Sequence, residues 1–175
     1  IGYQQIARTL HTDICNQKKL GLNGMTMYQP QRCSFPTGMG LYTFGKTLWN
    51  NNISFEDISE DYFKHAFGEG WEECYKHLQT LSDTYDMKIK PGGRDYSHLE
   101  VVSTMEKCLE LVESFKKDVK EPIHKSILEE ISWSDLNRQN VYIEKFFTAI
   151  ITGYKEDKQK GEELIKELVE WMWKH

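Results

Sequence analysis

Apolar residues recur at helical spacing through most of this chain, and the pattern is clearest in its second half. There, apolar side chains return every three or four residues, and Glu and Lys occupy the positions between them. This periodicity predicts four amphipathic helices with short connections, beginning near His98, Pro122, Ser134 and Lys160. Because consecutive helices joined by short loops favour antiparallel packing, we expect a helical bundle over residues 97–175.

The first half of the chain is also predicted to be mainly helical. Gly21 is a natural C-terminal stop for the first helix, since glycine adopts the left-handed backbone conformation at little cost. Ser54 and Ser59 are each candidate N-caps for a short helix that Gly68 would end. The remaining predicted helices of this half cover about residues 2–20, 39–50 and 71–85.

One short strand is predicted in this half, over Gly24–Tyr28, where side chains would alternate between two faces. Pro30 and Pro36 keep the following loop irregular, because proline lacks an amide hydrogen and restricts the residue before it. A loop between a strand and a helix is where α/β enzymes commonly present groups to a ligand. The predicted fold class is therefore mainly α, a helical bundle with a short α/β unit at the N-terminus.

The loop carries the candidate binding residues Tyr28, Gln29, Gln31 and Arg32. Arginine can hold a carboxylate with two parallel hydrogen bonds, glutamine can bond to hydroxyl groups, and the tyrosine can offer its ring to a sugar. An equally weighted alternative is an ordinary connecting loop in which Arg32 pairs with a neighbouring acid.

Composition excludes several classes of protein. Of the 175 residues, 39% are hydrophobic and 28% charged, and no apolar run approaches the roughly 20 residues that a membrane-spanning helix needs. The net charge of -5, with basic residues interleaved among acids, argues against nucleic acid as a main partner. The length suits one domain with a real core, or a small domain with the tail of another.

Cysteine and histidine spacing gives no metal-ligand pattern, so we expect no metal and no cofactor. The four cysteines lie far apart and are expected to be free thiols, which favours a cytoplasmic protein, with an exported one as the alternative. The chain begins Ile-Gly, without an initiator Met or a signal sequence, so we expect that residues were removed or that it was cut from a longer protein. The cysteines are Cys15, Cys33, Cys74 and Cys108; the histidines are His11, His65, His77, His98, His124 and His175.

The acidic residues lie almost wholly on predicted helices, where they favour helix termini or water. The two catalytic carboxyl groups of a glycoside hydrolase would be expected at strand ends in a cleft, and no such pair is visible in the sequence. His11 and Asp13 lie two residues apart and would not share a helical face. The sequence also lacks a GxSxG motif, a phosphate-binding glycine loop and a Cys-His grouping. We therefore expect that this chain alone hydrolyses nothing, and its catalytic residues are unassigned.

One segment of the chain resembles a known family. It rests on the segment FPTGMGLYTFGKTLWNNNISFEDISEDYFKHAFGEGWEECYKHLQTL, with its Leu-Trp-Asn helix end, Ser-Phe-Glu-Asp, Tyr-Phe and Ala-Phe-Gly. The segment resembles the C-terminal part of a bacterial carbohydrate-active family, a domain-of-unknown-function group similar to glycoside hydrolases of the α-glucuronidase and hexosaminidase kind. The similarity covers about residues 21–81, and Asn51 stands where the family often has proline.

The resemblance implies that residues 1–50 form the end of a TIM barrel and residues 51–175 a helical C-terminal domain. The barrel strands that carry the catalytic carboxylates would then lie outside this chain. The four loop residues would lie at the sugar-facing rim, with a carbohydrate, such as an acidic sugar, and the rest of a larger polypeptide as partners. The resulting hypothesis is the C-terminal helical region of a glycoside-hydrolase-like protein that is not catalytic alone. The alternative is a self-contained helical interaction or carbohydrate-recognition module.

Overall fold

The computed structural model describes residues 3–25, 37–85 and 97–174, and these residues are mainly α-helical, as predicted. None of them lies in a β-strand. The helices are α1 (Tyr3–Asn16), α2 (Met39–Trp49), α3 (Phe55–Phe67), α4 (Trp71–Thr84), α5 (His98–Asp118), α6 (Ile127–Lys155) and α7 (Lys158–Lys174). Two short 3-10 turns accompany them, Gln17–Leu20 after α1 and Gly68–Gly70 between α3 and α4.

The predicted N-terminal strand finds no support in the described residues. Gly24 and Met25 are exposed and belong to neither a helix nor a strand. The rest of the predicted strand, residues 26–28, lies outside the described part of the chain. The short α/β unit therefore stays a prediction.

Several helix ends follow the sequence signals closely. Gly21, with a φ of 75°, adopts the left-handed conformation that stops the first helical segment. Gly68 ends α3 with a φ of 61° and a ψ of -132°, a backbone conformation that glycine adopts more readily than other residues. The Ser54 hydroxyl caps α3 by accepting a hydrogen bond from the Asp57 amide at 3.0 Å. Ser59, the alternative cap, is instead buried inside α3 and donates to the Phe55 carbonyl.

The prediction of two helices beginning at Pro122 and Ser134 is wrong, because α6 is one continuous helix. Ser126 is its N-cap, accepting from the Glu129 amide, and Pro122 lies before the helix begins. Ser134 lies in the helix interior, where nothing stops the helix, since no glycine or proline occurs between Ser126 and Gly153. The bundle over residues 97–174 therefore consists of α5, α6 and α7.

Two apolar clusters make up the core, and α6 contributes to both. The first cluster contains buried side chains from each of the helices α1, α2, α3, α4, α5 and α6. The second contains buried side chains from α4, α5 and α6. Trp133 of α6 is buried in the first cluster and its indole Nε1 donates to the Phe67 carbonyl at 3.0 Å. Ala7 and Met39 pack in that same cluster, so side chains from both sides of the predicted boundary at residue 50 share one core. The boundary itself stays a prediction.

The last helix, α7, packs mainly along α6. The two helices approach closely where Gly153 faces Gly161, since neither residue has a side chain to hold the backbones apart. Their hairpin encloses a mainly apolar groove of about 600 Å³. The groove is lined by Ala149, Ile150, Gly153, Tyr154, Lys158, Gly161, Glu162, Ile165 and Lys166.

Candidate functional site

The sequence-predicted binding residues cannot be joined to any described surface. Tyr28, Gln29, Gln31 and Arg32 all lie outside the described residues. Their role in binding therefore stays a prediction. The described residues form other surfaces with chemistry of their own.

A cleft between α3 and α4 combines aromatic and charged side chains. Its volume is about 420 Å³. Such a combination is typical of sites for polar small molecules, in which aromatic walls supply contact area and a few polar groups fix orientation. The cleft is lined by Glu56, Ser59, Glu60, Trp71, Glu72, Tyr75 and Lys76.

The α3–α4 hairpin places these groups through its buried faces. Phe63, Phe67 and Leu78 pack into the first apolar cluster and fix the rotation of both helices. Trp71 and Tyr75 are four residues apart on α4, so they share one face and lie half-buried beside the cleft. The Tyr75 ring packs edge-on against Phe63, with ring centroids 5.2 Å apart, which holds the aromatic wall in place.

Two of the three cleft carboxylates already have partners. Glu56 accepts a hydrogen bond from the Arg8 guanidinium of α1 at 2.8 Å, and Glu60 pairs with the Lys64 ammonium at 2.5 Å. Glu72 makes no hydrogen bond or ion pair within the described residues. The cleft therefore offers one uncommitted carboxylate beside its tryptophan.

The Glu56 carboxyl of the cleft is poorly suited to be the general acid of a glycoside hydrolase. A general acid in such an enzyme needs a carboxyl whose pKa is raised. The hydrogen bond from Arg8 instead lowers the pKa of the Glu56 carboxyl. Burial does raise the pKa of Asp135, but this residue lies on α6 beside Arg138 and is not part of the cleft lining.

A second polar cluster holds α2 against α3. Asp61 accepts hydrogen bonds from the Tyr42 hydroxyl and the Lys46 ammonium, and these bonds lower the pKa of its carboxyl. The neighbouring Tyr62 hydroxyl accepts from the Gly38 amide at 2.7 Å, and burial raises the pKa of Tyr62 to about 12. Every group in this cluster has a partner, so it joins helices and does not form an open site.

One cysteine and one histidine that were not predicted as a pair, His11 and Cys15, lie four residues apart on α1 and therefore share a face of that helix. The Cys15 thiol lies 3.8 Å from His11 Nε2. However, the same nitrogen bonds to the Ile53 carbonyl at 2.9 Å, and it must therefore carry the proton. It cannot also take a proton from the thiol, so the pair is not a nucleophile and base.

The other described cysteines are buried and inert. Burial raises the pKa of the Cys108 thiol to about 11 and raises that of Cys74 further. Together with Cys15, they are free thiols, while Cys33 lies outside the described residues. Within the described ranges, no group of three or more His, Cys, Asp and Glu side chains could hold a metal ion.

Comparisons with known proteins add no relative. Against protein-family models, curated proteins and solved structures, the chain gives no significant match. Across residues 3–25, 37–85 and 97–174, no helix is both long and apolar enough to cross a membrane.

Sequence reasoning did not identify the α3–α4 cleft. One signal was present, a Trp and a Tyr at helical spacing directly after two glycines that interrupt the helices. That signal shows a shared face on α4 but not the α3 carboxylates opposite it. The pairing of the two faces depends on the turn at Gly68–Gly70, which a pattern along one helix does not reveal.

Proposed function

We propose that this chain is the C-terminal helical region of a glycoside-hydrolase-like, carbohydrate-active protein, in which it contributes a sugar-contacting surface and no catalytic acid. In this proposal residues 1–50 complete a barrel through the predicted α/β unit, and the rest of a larger polypeptide carries the catalytic carboxylates. The resemblance of residues 21–81 supplies the family context.

The observation that carries the proposal is the α3–α4 cleft. A sugar ring has apolar C–H faces and an equatorial rim of hydroxyl groups, so it fits an aromatic wall opposite hydrogen-bond acceptors. Trp71 and Tyr75 supply the wall, and Glu60 and Glu72 supply acceptors. The volume of about 420 Å³ suits one or two sugar rings.

Replacing Trp71 with alanine tests the proposal. The Trp71→Ala variant should weaken the binding of monosaccharides and short oligosaccharides by about tenfold, because an aromatic contact is lost. Trp49→Ala is the matched control, since Trp49 is almost fully exposed at the end of α2 and does not line the cleft. Ligand-detected NMR measures both. Equal affinities of the wild type and Trp71→Ala for every sugar tested would contradict the proposal.

The loop residue Arg32 has a separate place in the proposal. With Gln29 and Gln31, it would bind an acidic or polyhydroxylated sugar in the intact protein, since a guanidinium matches a carboxylate in a fork. Arg32→Ala should then weaken binding of a uronic acid by about tenfold and leave the melting temperature nearly unchanged. Arg32→Lys should restore little, because a point charge cannot reproduce the fork. A lower melting temperature with unchanged affinity would instead indicate a structural ion pair.

A second candidate function is a self-contained helical interaction module. It is favoured by aliphatic side chains that stay exposed where α6 begins, and an exposed apolar patch commonly marks a protein-binding surface. The reading frame of the gene separates the two candidates. An in-frame barrel-length sequence before Ile1 supports the first, and a start codon directly before Ile1 supports the second. The exposed residues are Ile123, Ile127, Leu128 and Ile131.

A further inference from the structure

We propose that two copies of this chain pair through the α6–α7 groove, with their α7 helices antiparallel across a two-fold axis. The proposal does not depend on the carbohydrate binding proposed above. It rests on an apolar groove whose described lining comes from α6 and α7 alone, and on a row of charges along the groove that is complementary to itself.

The groove offers apolar surface from both helices of the hairpin. Ile150 of α6 and Ile165 of α7 are half-buried in its lining, beside the contact between Gly153 and Gly161. Val169 follows Ile165 by four residues, so it continues the same face of α7, and it is 46% exposed. A helix that lies in the groove would therefore cover apolar side chains of α6 and α7 together.

Charged side chains of alternating sign follow the groove along α7. Lys158, Glu162 and Lys166 line it at intervals of four residues, and Glu170 comes four residues later. Residues four apart are neighbours on the surface of a helix, so the four side chains form one row.

This row is complementary to a second copy of itself. When two rows run antiparallel about an axis midway between Glu162 and Lys166, each Glu162 faces the partner's Lys166. At the ends of the row, each Lys158 faces the partner's Glu170. All four contacts join opposite charges, and a two-fold interface requires this kind of self-complementarity, since both copies contribute the same surface.

The charges in the row are available for contacts between copies. Lys166 and Glu170 make no hydrogen bond or ion pair within the described residues. The Lys158 Nζ atom lies 3.9 Å from a Glu162 oxygen, and both side chains are mostly exposed, so this ion pair contributes little. Pairing across the axis therefore breaks no well-formed ion pair.

A second copy fits this surface better than a partner with charge of one sign. The row has two positive and two negative charges, so an acidic or a basic helix would meet repulsion at half of them. The 17 residues of α7 span about 26 Å, and two such helices, each against the partner's groove, would bury about 600 Å² per copy. This area lies at the lower end of specific interfaces, so we expect a weak, reversible dimer.

Sedimentation equilibrium of the full chain at low salt tests the pairing. The wild type should change from monomer to dimer between about 10 and 500 μM, the range of a small interface. Added salt should favour the monomer, because salt screens exposed charges. Glu162→Lys and Lys166→Glu should each weaken the dimer by about tenfold or more, since each places like charges opposite one another at two symmetric contacts.

A mixture of the two variants locates the contact between copies. When one copy carries Glu162→Lys and the other Lys166→Glu, two lysines face two glutamates, and the affinity should return to within about threefold of the wild type. Glu167→Lys is the matched control, since it makes the same charge change at an exposed residue of α7 that lines a separate cavity of the hairpin. It should leave the affinity within about twofold of the wild type. Circular dichroism checks that each variant keeps its helices.

Three results would overturn the proposal. A wild type that stays monomeric at about 500 μM has no such interface. A dimer that neither Glu162→Lys nor Lys166→Glu weakens uses another surface, such as the exposed isoleucines where α6 begins. If each variant is monomeric and their mixture is also monomeric, the two charges act within one chain and not between copies.

Discussion

The α3–α4 hairpin and the α6–α7 hairpin have similar apolar periodicity, but they differ in how far other helices cover their apolar side chains. In the first, Phe63, Phe67 and Leu78 are buried in the core, and the outer surface is a charged cleft. In the second, several apolar side chains stay exposed, such as Ile127 at the start of α6 and Trp173 near the end of α7. The two regions therefore present different surfaces, a charged cleft in the first and exposed apolar side chains in the second.

The difference shows what an amphipathic pattern does and does not determine. The pattern identifies the apolar face of a helix, but burial requires another element to lie on that face. Helices α3 and α4 each pack against α6 or α5 as well as against each other, whereas α7 packs mainly along α6. Buried and exposed side chains of the same type should therefore differ in what they contribute to stability.

The largest effect is expected at the buried tryptophan. Trp133→Ala should lower the free energy of unfolding by about 3–5 kcal/mol, because it opens a cavity and leaves the Phe67 carbonyl without its donor. Trp173→Ala, at a residue that is 84% exposed, should change it by less than about 0.5 kcal/mol. Urea unfolding measures both.

If Trp133→Ala does not fold, Trp133→Phe keeps an aromatic ring and removes the N–H donor. This variant should cost about 1–3 kcal/mol. Similar losses at Trp133 and Trp173 would contradict the expected difference between a covered and an exposed tryptophan.

A smaller effect is expected where α6 and α7 cross. In Gly161→Ala the new methyl carbon would lie 2.7 Å from the Gly153 Cα and 2.9 Å from the Ala149 carbonyl oxygen. The backbones must then separate, at a cost of about 1–3 kcal/mol. Hydrogen exchange should show faster exchange of the α7 amides, because α7 packs mainly along α6.

Gly45→Ala on α2 is the matched control for this change. No neighbouring atom lies within 4 Å of the added carbon, so the substitution should stabilise the helix by about 0.5–1 kcal/mol. An equal stabilisation by Gly161→Ala would show that the helices do not pack closely at this crossing.

Stability should also fall as the solution is acidified below neutral pH, because of a buried histidine. His77 stacks on Phe115, with ring centroids 4.0 Å apart, and its Nε2 donates to the Asn140 side-chain oxygen at 2.9 Å. Burial lowers the pKa of His77, against a smaller opposite effect of the Asn140 hydrogen bond. Below about pH 6.5 the unfolded chain therefore takes up a proton that the folded chain does not.

The expected slope is at most about 1.4 kcal/mol per pH unit, and it ends when the pH falls below the folded pKa. Above about pH 7 the residue should contribute no slope. His77→Gln should reduce the slope between about pH 6.5 and 5. Identical slopes in the wild type and His77→Gln would contradict the assignment.

Much of the helical architecture could be predicted from the sequence, because local signals determine where helices begin and end. The stop at Gly21, the cap at Ser54 and the start of α5 at His98 were all predicted from the sequence. The prediction that a separate helix begins at Ser134 was wrong, because a serine can cap a helix or lie within one. The surrounding residues determine which of the two occurs. The candidate site could not be predicted, since it depends on which helix faces α4.

The smallest effect is expected at an exposed isoleucine, which can be compared with a buried isoleucine on the same helix. Ile131 and Ile143 lie on the same helix, but Ile131 is 52% exposed and Ile143 is fully buried. Ile143→Ala should cost about 2–5 kcal/mol, because it removes buried methyl groups and leaves a cavity. Ile131→Ala should change the free energy of unfolding by less than about 0.5 kcal/mol, since alanine also favours the helix. Because residue type, helix and substitution are the same, burial alone separates the two variants. If Ile131→Ala proves as costly as Ile143→Ala, the start of α6 must be covered in solution. Repeating the unfolding at several protein concentrations would then show whether a second copy covers it, since only association makes the midpoint depend on concentration.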